Sequence, residues 1–197
     1  MTNLIDGLEC HATWRNFALA VGAFALSNLA LSEHILPNIQ ARQPKALEDG
    51  FLVMTDLQPL RSAEEVYRIF DLYTPDILSF VRLLYALDFV TPLAFGVCFF
   101  CLIGKMLRYL ETKGPWRAAL LVPFAAIPFD YTENALSLFL LGQYQDGQVF
   151  PTLARMAGIV TAAKFLGLGC MGVTLLAVLL RTGTKFIAQK AGSSRGS

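Results

Sequence analysis

Two carboxyls, an amide and a hydroxyl recur at helical spacing in one otherwise apolar stretch, Pro128-Phe-Asp130-Tyr-Thr-Glu133-Asn134-Ala-Leu-Ser137. Positions 130, 133, 134 and 137 fall at i, i+3, i+4 and i+7, so a helix carries all four on one face. Two carboxylates one turn apart in a low-dielectric site repel, which favours a proton on one of them. A carboxyl held in that state suits acid–base chemistry or the grip of a cationic or hydroxylated headgroup. Other apolar stretches offer polar groups at matching depth. One carries Asp88 with Tyr85, Thr91 and Pro92, and Arg82 lies two turns toward its outer end. Another places Lys164 with Thr161 and Gly167, and the first offers Ser27 and Asn28. The candidate catalytic residues are therefore Asp130, Glu133 and Asp88. The candidate ligand-binding residues are Asn134, Ser137, Tyr85, Arg82, Lys164 and Asn28. Arg82 and Lys164 are the bases expected to set the charge of the three acids, with snorkelling to the interface as the alternative for both, Arg82 lying close enough to the outer end to reach it.

Cost decides where these groups point. A charged side chain facing lipid at mid-helix costs about 2.5–3.5 kcal/mol on insertion scales. Five such groups are expected to meet in the interior instead. The plainer reading is that they only hold helices together, since interhelical polar contacts are modest, about 1–2 kcal/mol or less each. Five ionisable groups exceed what that role needs. No Cys/His cluster has zinc spacing, and neither common glycine-rich phosphate loop is present, so no metal and no cofactor are expected. His11 and His34 lie outside the apolar stretches.

The elements that must position these residues follow from hydropathy. Charged residues make up 16% of the 197, Phe numbers 15, and mean hydropathy is +0.51. Soluble domains carry roughly 25% charge; this chain cannot build such a shell. Four apolar segments, about 14–32, 77–106, 118–141 and 152–180, each approach the roughly 20 residues that cross a bilayer. The expected fold is all-α: a polytopic four-helix transmembrane bundle in one domain, 1–182, with one long non-cytoplasmic loop, 33–74. A small, polar cytoplasmic tail, 183–197, is expected to be disordered. Pro128 removes a backbone hydrogen bond and leaves the turn at 122–123 free to bend. Ala30-Leu31-Ser32 would tolerate signal cleavage, yet the flank holds only Arg15 against Asp6 and Glu9, so the segment reads as a retained span.

Lys105, Arg108, Lys113 and Arg117 lie between the second and third segments, and Arg181, Lys185, Lys190 and Arg195 follow the fourth. Basic flanks favour the cytoplasm, which puts both termini inside. In the outer loop, Ser62-Ala-Glu-Glu65 reads as a capping box opening a short helix with an apolar face at Ala63, Val66, Ile69 and Phe70. Thr74-Pro75 reads as the start of the second span, and Ile35-Leu36 and the 51–54 run as pieces on the membrane surface or over the bundle mouth. Gly158, Gly167, Gly169 and Gly172 suggest close helix packing. Trp14 and Trp116 suit interfacial anchors. Net charge is +1, which gives no global field for nucleic acid. The expected partners are membrane lipids, a lipid-like ligand, and a homo-oligomer or larger membrane complex.

The Asp130-x-x-Glu133-Asn134 stripe after Pro128 resembles a pattern in small uncharacterised bacterial-type four-helix membrane proteins, which also mark the preceding span with an acid and a nearby proline, as Asp88 and Pro92 do. The likeness covers the later three segments and implies no activity. A weaker likeness is to the emopamil-binding type of sterol isomerases and ligand binders, which place acids in a membrane cavity. Cys98-Phe-Phe-Cys101 resembles the C-x-x-C of thiol oxidoreductases related to vitamin K epoxide reductase, but their loop cysteine pair has no counterpart here. Three functions remain open: an acidic pocket for a lipid-like or small amphipathic ligand, an accessory or assembly subunit with structural charges, and proton-coupled transport or relay. Four spans without an inverted repeat weigh against transport. The topology is tested with single cysteines at positions 58 and 113 in a background lacking the native four. Position 58 is expected to label from outside and position 113 from inside; the reverse pattern would invert the orientation.

Overall fold

Helix α2 (Trp14–Ala30) opens on a Thr13 cap, whose hydroxyl accepts from Asn16 N–H at 3.1 Å. It runs on through a π-helical turn, Leu31–Ile35, into α3 (Leu36–Arg42). Pro37 has no N–H for the carbonyl four residues back, and the wider turn sits at that point. The computed structural model describes residues 2–48, 51–52, 54 and 59–193. A short helix, α1 (Thr2–Glu9), precedes α2. The span expected to end near 32 thus continues as helix to Arg42, and Ile35 is buried in the core rather than lying over it.

Two strands of two residues, β1 (Leu47–Glu48) and β2 (Phe51–Leu52), pair antiparallel, Leu47 with Leu52 and Glu48 with Phe51. Residue 53 of the 51–54 run lies outside the described residues. Helix α4 (Ala63–Phe70) starts at the expected capping box: Ser62 Oγ accepts from Glu65 N–H at 3.2 Å, and Glu65 accepts from Ser62 N–H at 2.6 Å. Val66, Ile69 and Phe70 bury its apolar face. The next helix begins not at Thr74-Pro75 but at Leu78, because residues 74–77 form a turn closed by Ile77 N–H on Thr74 O. Helices α5 (Leu78–Asp88) and α6 (Val90–Tyr109) meet at Phe89. Pro92 cannot donate to the Asp88 carbonyl, so the ladder is interrupted where Asp88 stands.

The third apolar segment is not one helix. Residues Gly114–Phe124 form a 3₁₀ stretch, and α7 (Ile127–Gln145) follows. Pro123 and Pro128 each lack a donor, which breaks the regular ladder between them. Helix α8 runs from Pro151 to Ser193, so the residues expected to be a disordered tail from 183 are helical through Ser193. The chain is all-helical apart from the small strand pair, and three helical runs are long and apolar enough to cross a membrane: Trp14–Arg42, Leu78–Tyr109 and Pro151–Ala191.

Helix α2 packs along α6, α7 along α8, and the 3₁₀ stretch against α6 and α8. The interior divides into two apolar cores. The first joins α3, α4, α5, the far end of α7 and the start of α8, around Ile39, Phe70, Tyr85, Leu141 and Ala157. The second joins α1, α6, the 3₁₀ stretch and the later part of α8, around Ile5, Phe100, Ile103, Leu120 and Val178. On α5–α6, on the 3₁₀ stretch with α7, and on α8 alike, the sequence passes from one core to the other through the polar positions 88, 130–137 and 161–164.

Residues 60–61 form a strap laid against α8. Leu60 N–H donates to Gly158 O at 3.0 Å, and Leu60 takes a left-handed φ of 60° to do so. A Cβ on Gly158 would lie 3.0 Å from both N and O of Arg61, so the missing side chain sets the approach. Gly167 meets Ala126 in the same way, whereas Gly169 and Gly172 face open space and do not serve packing within the chain. Gly158→Val is expected to lift the strap, lower the unfolding temperature and expose Arg61 to trypsin, while Gly169→Ala leaves both unchanged. Limited proteolysis and melting of the purified chain check this.

Candidate functional site

Arg61 reaches inward from the strap to a group of side chains brought by α5, α7 and α8. Glu133 is its centre and has no exposed surface. Arg61 Nη1 and Nη2 lie 3.3 and 3.4 Å from Glu133 Oε1, and Nη1 donates to Thr161 Oγ1 at 3.0 Å. Thr161 Oγ1 also contacts Glu133 Oε1 closely, and lies 3.0 Å from Ala157 O. Lys164 Nζ bridges two acids, 2.8 Å from Glu133 Oε2 and 3.0 Å from Asp130 Oδ1. The i, i+3 spacing of Asp130 and Glu133 makes this bridge possible, because one ammonium can touch both carboxylates on one face.

Asn134 extends the network to α5. Its Nδ2 donates to Asp88 Oδ2 at 2.9 Å and lies 3.5 Å from Asp130 Oδ2. The expected stripe is thus one buried face: Asp130, Glu133, Asn134 and Ser137 are all buried. Asp88, Asp130, Glu133 and Lys164 join one cluster, with Asn134 as the link to Asp88. Three acids face two bases, and the second base is Arg61, not Arg82. Arg82 is exposed and donates to Gln145 Oε1 at 2.7 Å. It lies near the end of the first core, where its long side chain turns to the surface. Tyr85 is buried in the first core rather than lining an opening.

Asp88 alone of the three acids is half-buried and lines a cleft, of about 100 Å³, between the end of α2 and the α5–α6 junction. Ser27, Asn28 and Thr91 share its wall, with Leu31, Leu84 and Leu87. Asn28 itself is exposed at the cleft and bonds back to Phe24 O. Glu133 and Asp130 do not line this opening. Among the described residues no group of His, Cys, Asp or Glu could hold a metal ion. The four cysteines are free thiols, Cys98 and Cys101 included.

Local sequence chemistry holds Arg61 in place. Ser62, the next residue, caps α4 and fixes the chain direction at the strap. The hydrogen bond from Ser62 N–H, helped by that with its side chain, lowers the Glu65 pKa below the ordinary value. The capping box therefore contributes above the ordinary glutamate range and fades as pH falls through the lowered value. No signal within the loop marked Arg61 as an internal base, because its partners are 72 and 100 residues away. Compared with protein-family models, curated proteins and solved structures, the chain matches none.

Removing one partner of a buried ion pair leaves the other charge uncompensated and costs about 3–5 kcal/mol. Glu133→Gln and Arg61→Met are each expected to destabilise on that scale. The double variant is expected to lose less than the sum, by about 0.5–3 kcal/mol of coupling. Reactivity of the buried Cys101 thiol during unfolding checks this; strict additivity would show that the two do not act as a pair.

Proposed function

We propose that the chain is a multi-pass membrane protein that binds a lipid-like or small amphipathic ligand at the Asp88 cleft, with the Arg61–Glu133–Lys164–Asp130 group buried behind it and joined to Asp88 through Asn134. The bundle has four crossings in this reading, the third made by the 3₁₀ stretch and α7. Both termini are cytoplasmic, and the Arg61 strap faces the other side. The supporting observation is the cleft: a carboxylate beside hydroxyls and an amide, walled by leucines, on an apolar exterior. Exposed apolar side chains run from Trp14 to Leu29, from Leu83 to Tyr109 and from Met156 to Ile187. At about 1.5 Å per residue, the polar layer sits roughly 10 Å from the middle of that band, toward the strap. Such a depth suits a molecule that enters from the outer leaflet.

A second reading is an accessory or assembly subunit whose buried charges only fix the helices. One observation favours it: Glu133 is enclosed by Arg61, Thr161 and Lys164, with no surface left for a substrate. Acid–base chemistry, if the site performs any, then falls to Asp88, which reaches the opening. Purification in mild detergent, followed by mass spectrometry of the extract, separates the two readings. The wild type is expected to retain about one amphiphile per chain and Asp88→Asn to lose it without a change in melting. Equal retention by both, or none by either, would overturn ligand binding at this cleft.

A further inference from the structure

Away from the Asp88 cleft, the 3₁₀ stretch and α8 leave a larger groove between them, of about 500 Å³. A 3₁₀ helix brings residues three apart into line, so Trp116, Ala119 and Val122 form one wall. Val173 and Ala177, one turn apart on α8, form the other, with Thr174 beside them. Thr174 is the one hydroxyl of the wall, and it donates to Cys170 O at 2.8 Å within its own helix. No charged residue lines the groove.

One turn further along α8, Arg181 continues the stripe of 173 and 177. Its guanidinium carbon lies 5.5 Å from the centroid of the Trp116 ring, so a cation stands at one end of the groove. The residue is exposed, and among the described residues no acid or carbonyl accepts from its side chain. Its neighbours are engaged: Arg108 with Ala12 O, Arg117 with Glu9, and Lys185 with Glu111. Contact through a ring face steadies a guanidinium and leaves its N–H donors open to an anion.

Charge selects the occupant. Residues 105–117 hold four cations and one acid, and residues 181–190 hold three cations and no acid. The two segments meet where Tyr109 O–H donates to Gln189 Oε1 and Lys185 Nζ donates to Tyr109 O, both at 2.8 Å. The 3₁₀ stretch also begins at this end, on Lys113, so its leading N–H groups add to the positive potential. A second copy packed here in parallel would set these cations against their own kind. An apolar chain that ends in an anion matches both parts of the surface. Arginine presents paired donors to a phosphate, and tryptophan is at home where hydrocarbon meets headgroup.

We propose that the groove between the 3₁₀ stretch and α8 seats an acyl chain of one anionic phospholipid, whose phosphate rests on Arg181 beside Trp116. The site lies on the inner leaflet when both termini are cytoplasmic, and that leaflet is the one rich in anionic lipid. It rests on the membrane reading and does not depend on the Asp88 cleft.

The test reads the full chain by native mass spectrometry in detergent containing equal amounts of phosphatidylglycerol and phosphatidylcholine with the same acyl chains. The wild type is expected to retain one phosphatidylglycerol per chain, at least fivefold over phosphatidylcholine. Arg181→Gln is expected to remove that preference. Val173→Trp, which adds bulk at an exposed wall, is expected to lower retention severalfold, and both variants to melt as wild type. Lys190→Gln removes a cation from the same end but not from the groove, and is expected to change neither. Asp88→Asn is expected to keep its phosphatidylglycerol, so this site and the Asp88 cleft fail separately. Glycerol 3-phosphate in millimolar excess is expected to displace nothing. Equal retention of the two lipids by the wild type would overturn the proposal without recourse to a variant. Equal losses in Lys190→Gln and Arg181→Gln would overturn it in favour of diffuse attraction. Unchanged retention in Val173→Trp would take the acyl chain out of the groove, and displacement by glycerol 3-phosphate would assign the cation to a free anion. A lipid-free dimer would give the face to a second copy.

Discussion

A carboxylate with no exposed surface must be neutralised where it stands, and Glu133 sets that condition for this molecule. Its two oxygens face Arg61 from the strap and Thr161 and Lys164 from α8. A charge enclosed without partners would cost several kcal/mol, so these segments have to arrive together. Lys164 then has capacity for a second acid, and Asp130, one turn before Glu133, supplies it. Asn134, one residue after Glu133, reaches across to Asp88. The register of α5, α7 and α8 is thereby fixed by hydrogen bonds whose alternatives are buried polar groups without partners.

This polar layer separates two apolar cores of different character. The core on the strap side is built from short helices and resembles the interior of a soluble domain, with Val66, Ile69 and Phe70 of α4 under a capped amphipathic helix. The core on the other side is made by the long apolar helices α6 and α8, whose outward faces remain hydrophobic, with α1 and the 3₁₀ stretch packed against them. The departures from regular helix in the long segments, at Phe89, at residues 125–126 and at the π turn, each lie within a few residues of the layer or of the cleft beside it. Proline accounts for each locally: Pro92, Pro123 with Pro128, and Pro37. Irregular backbone is tolerable there because polar side chains are at hand to satisfy what the ladder leaves open.

Local pattern carried much of this into the sequence. The stripe at 130, 133, 134 and 137 follows from spacing alone, and the cost of unpaired charge brings Lys164 and Asp88 to it. The capping box at Ser62 likewise needed only four residues to be legible. Arg61 was not, because a loop arginine gains its role from Gly158 and Glu133, which are distant in the chain. Arg82 showed the converse: position in an apolar run suggested an internal base, but a long side chain near a helix end escapes to the surface. The third segment was apolar enough to read as a single helix, and only its prolines hinted that it would divide. The length of α8 was obscured by the polar composition of its end, which favours neither helix nor coil strongly.

The strap also imposes an order on synthesis. Arg61 leaves the ribosome a hundred residues before Thr161, its neighbour in the finished site. At 5–20 residues per second that is an interval of about 5–20 s. Through that time Gly158 does not exist to receive Leu60, and a guanidinium destined for the interior stays hydrated outside. The last helix is therefore the closing piece of the molecule, and a chain stopped before it would lack Lys164 and the Gly158 carbonyl on which the Arg61 strap rests.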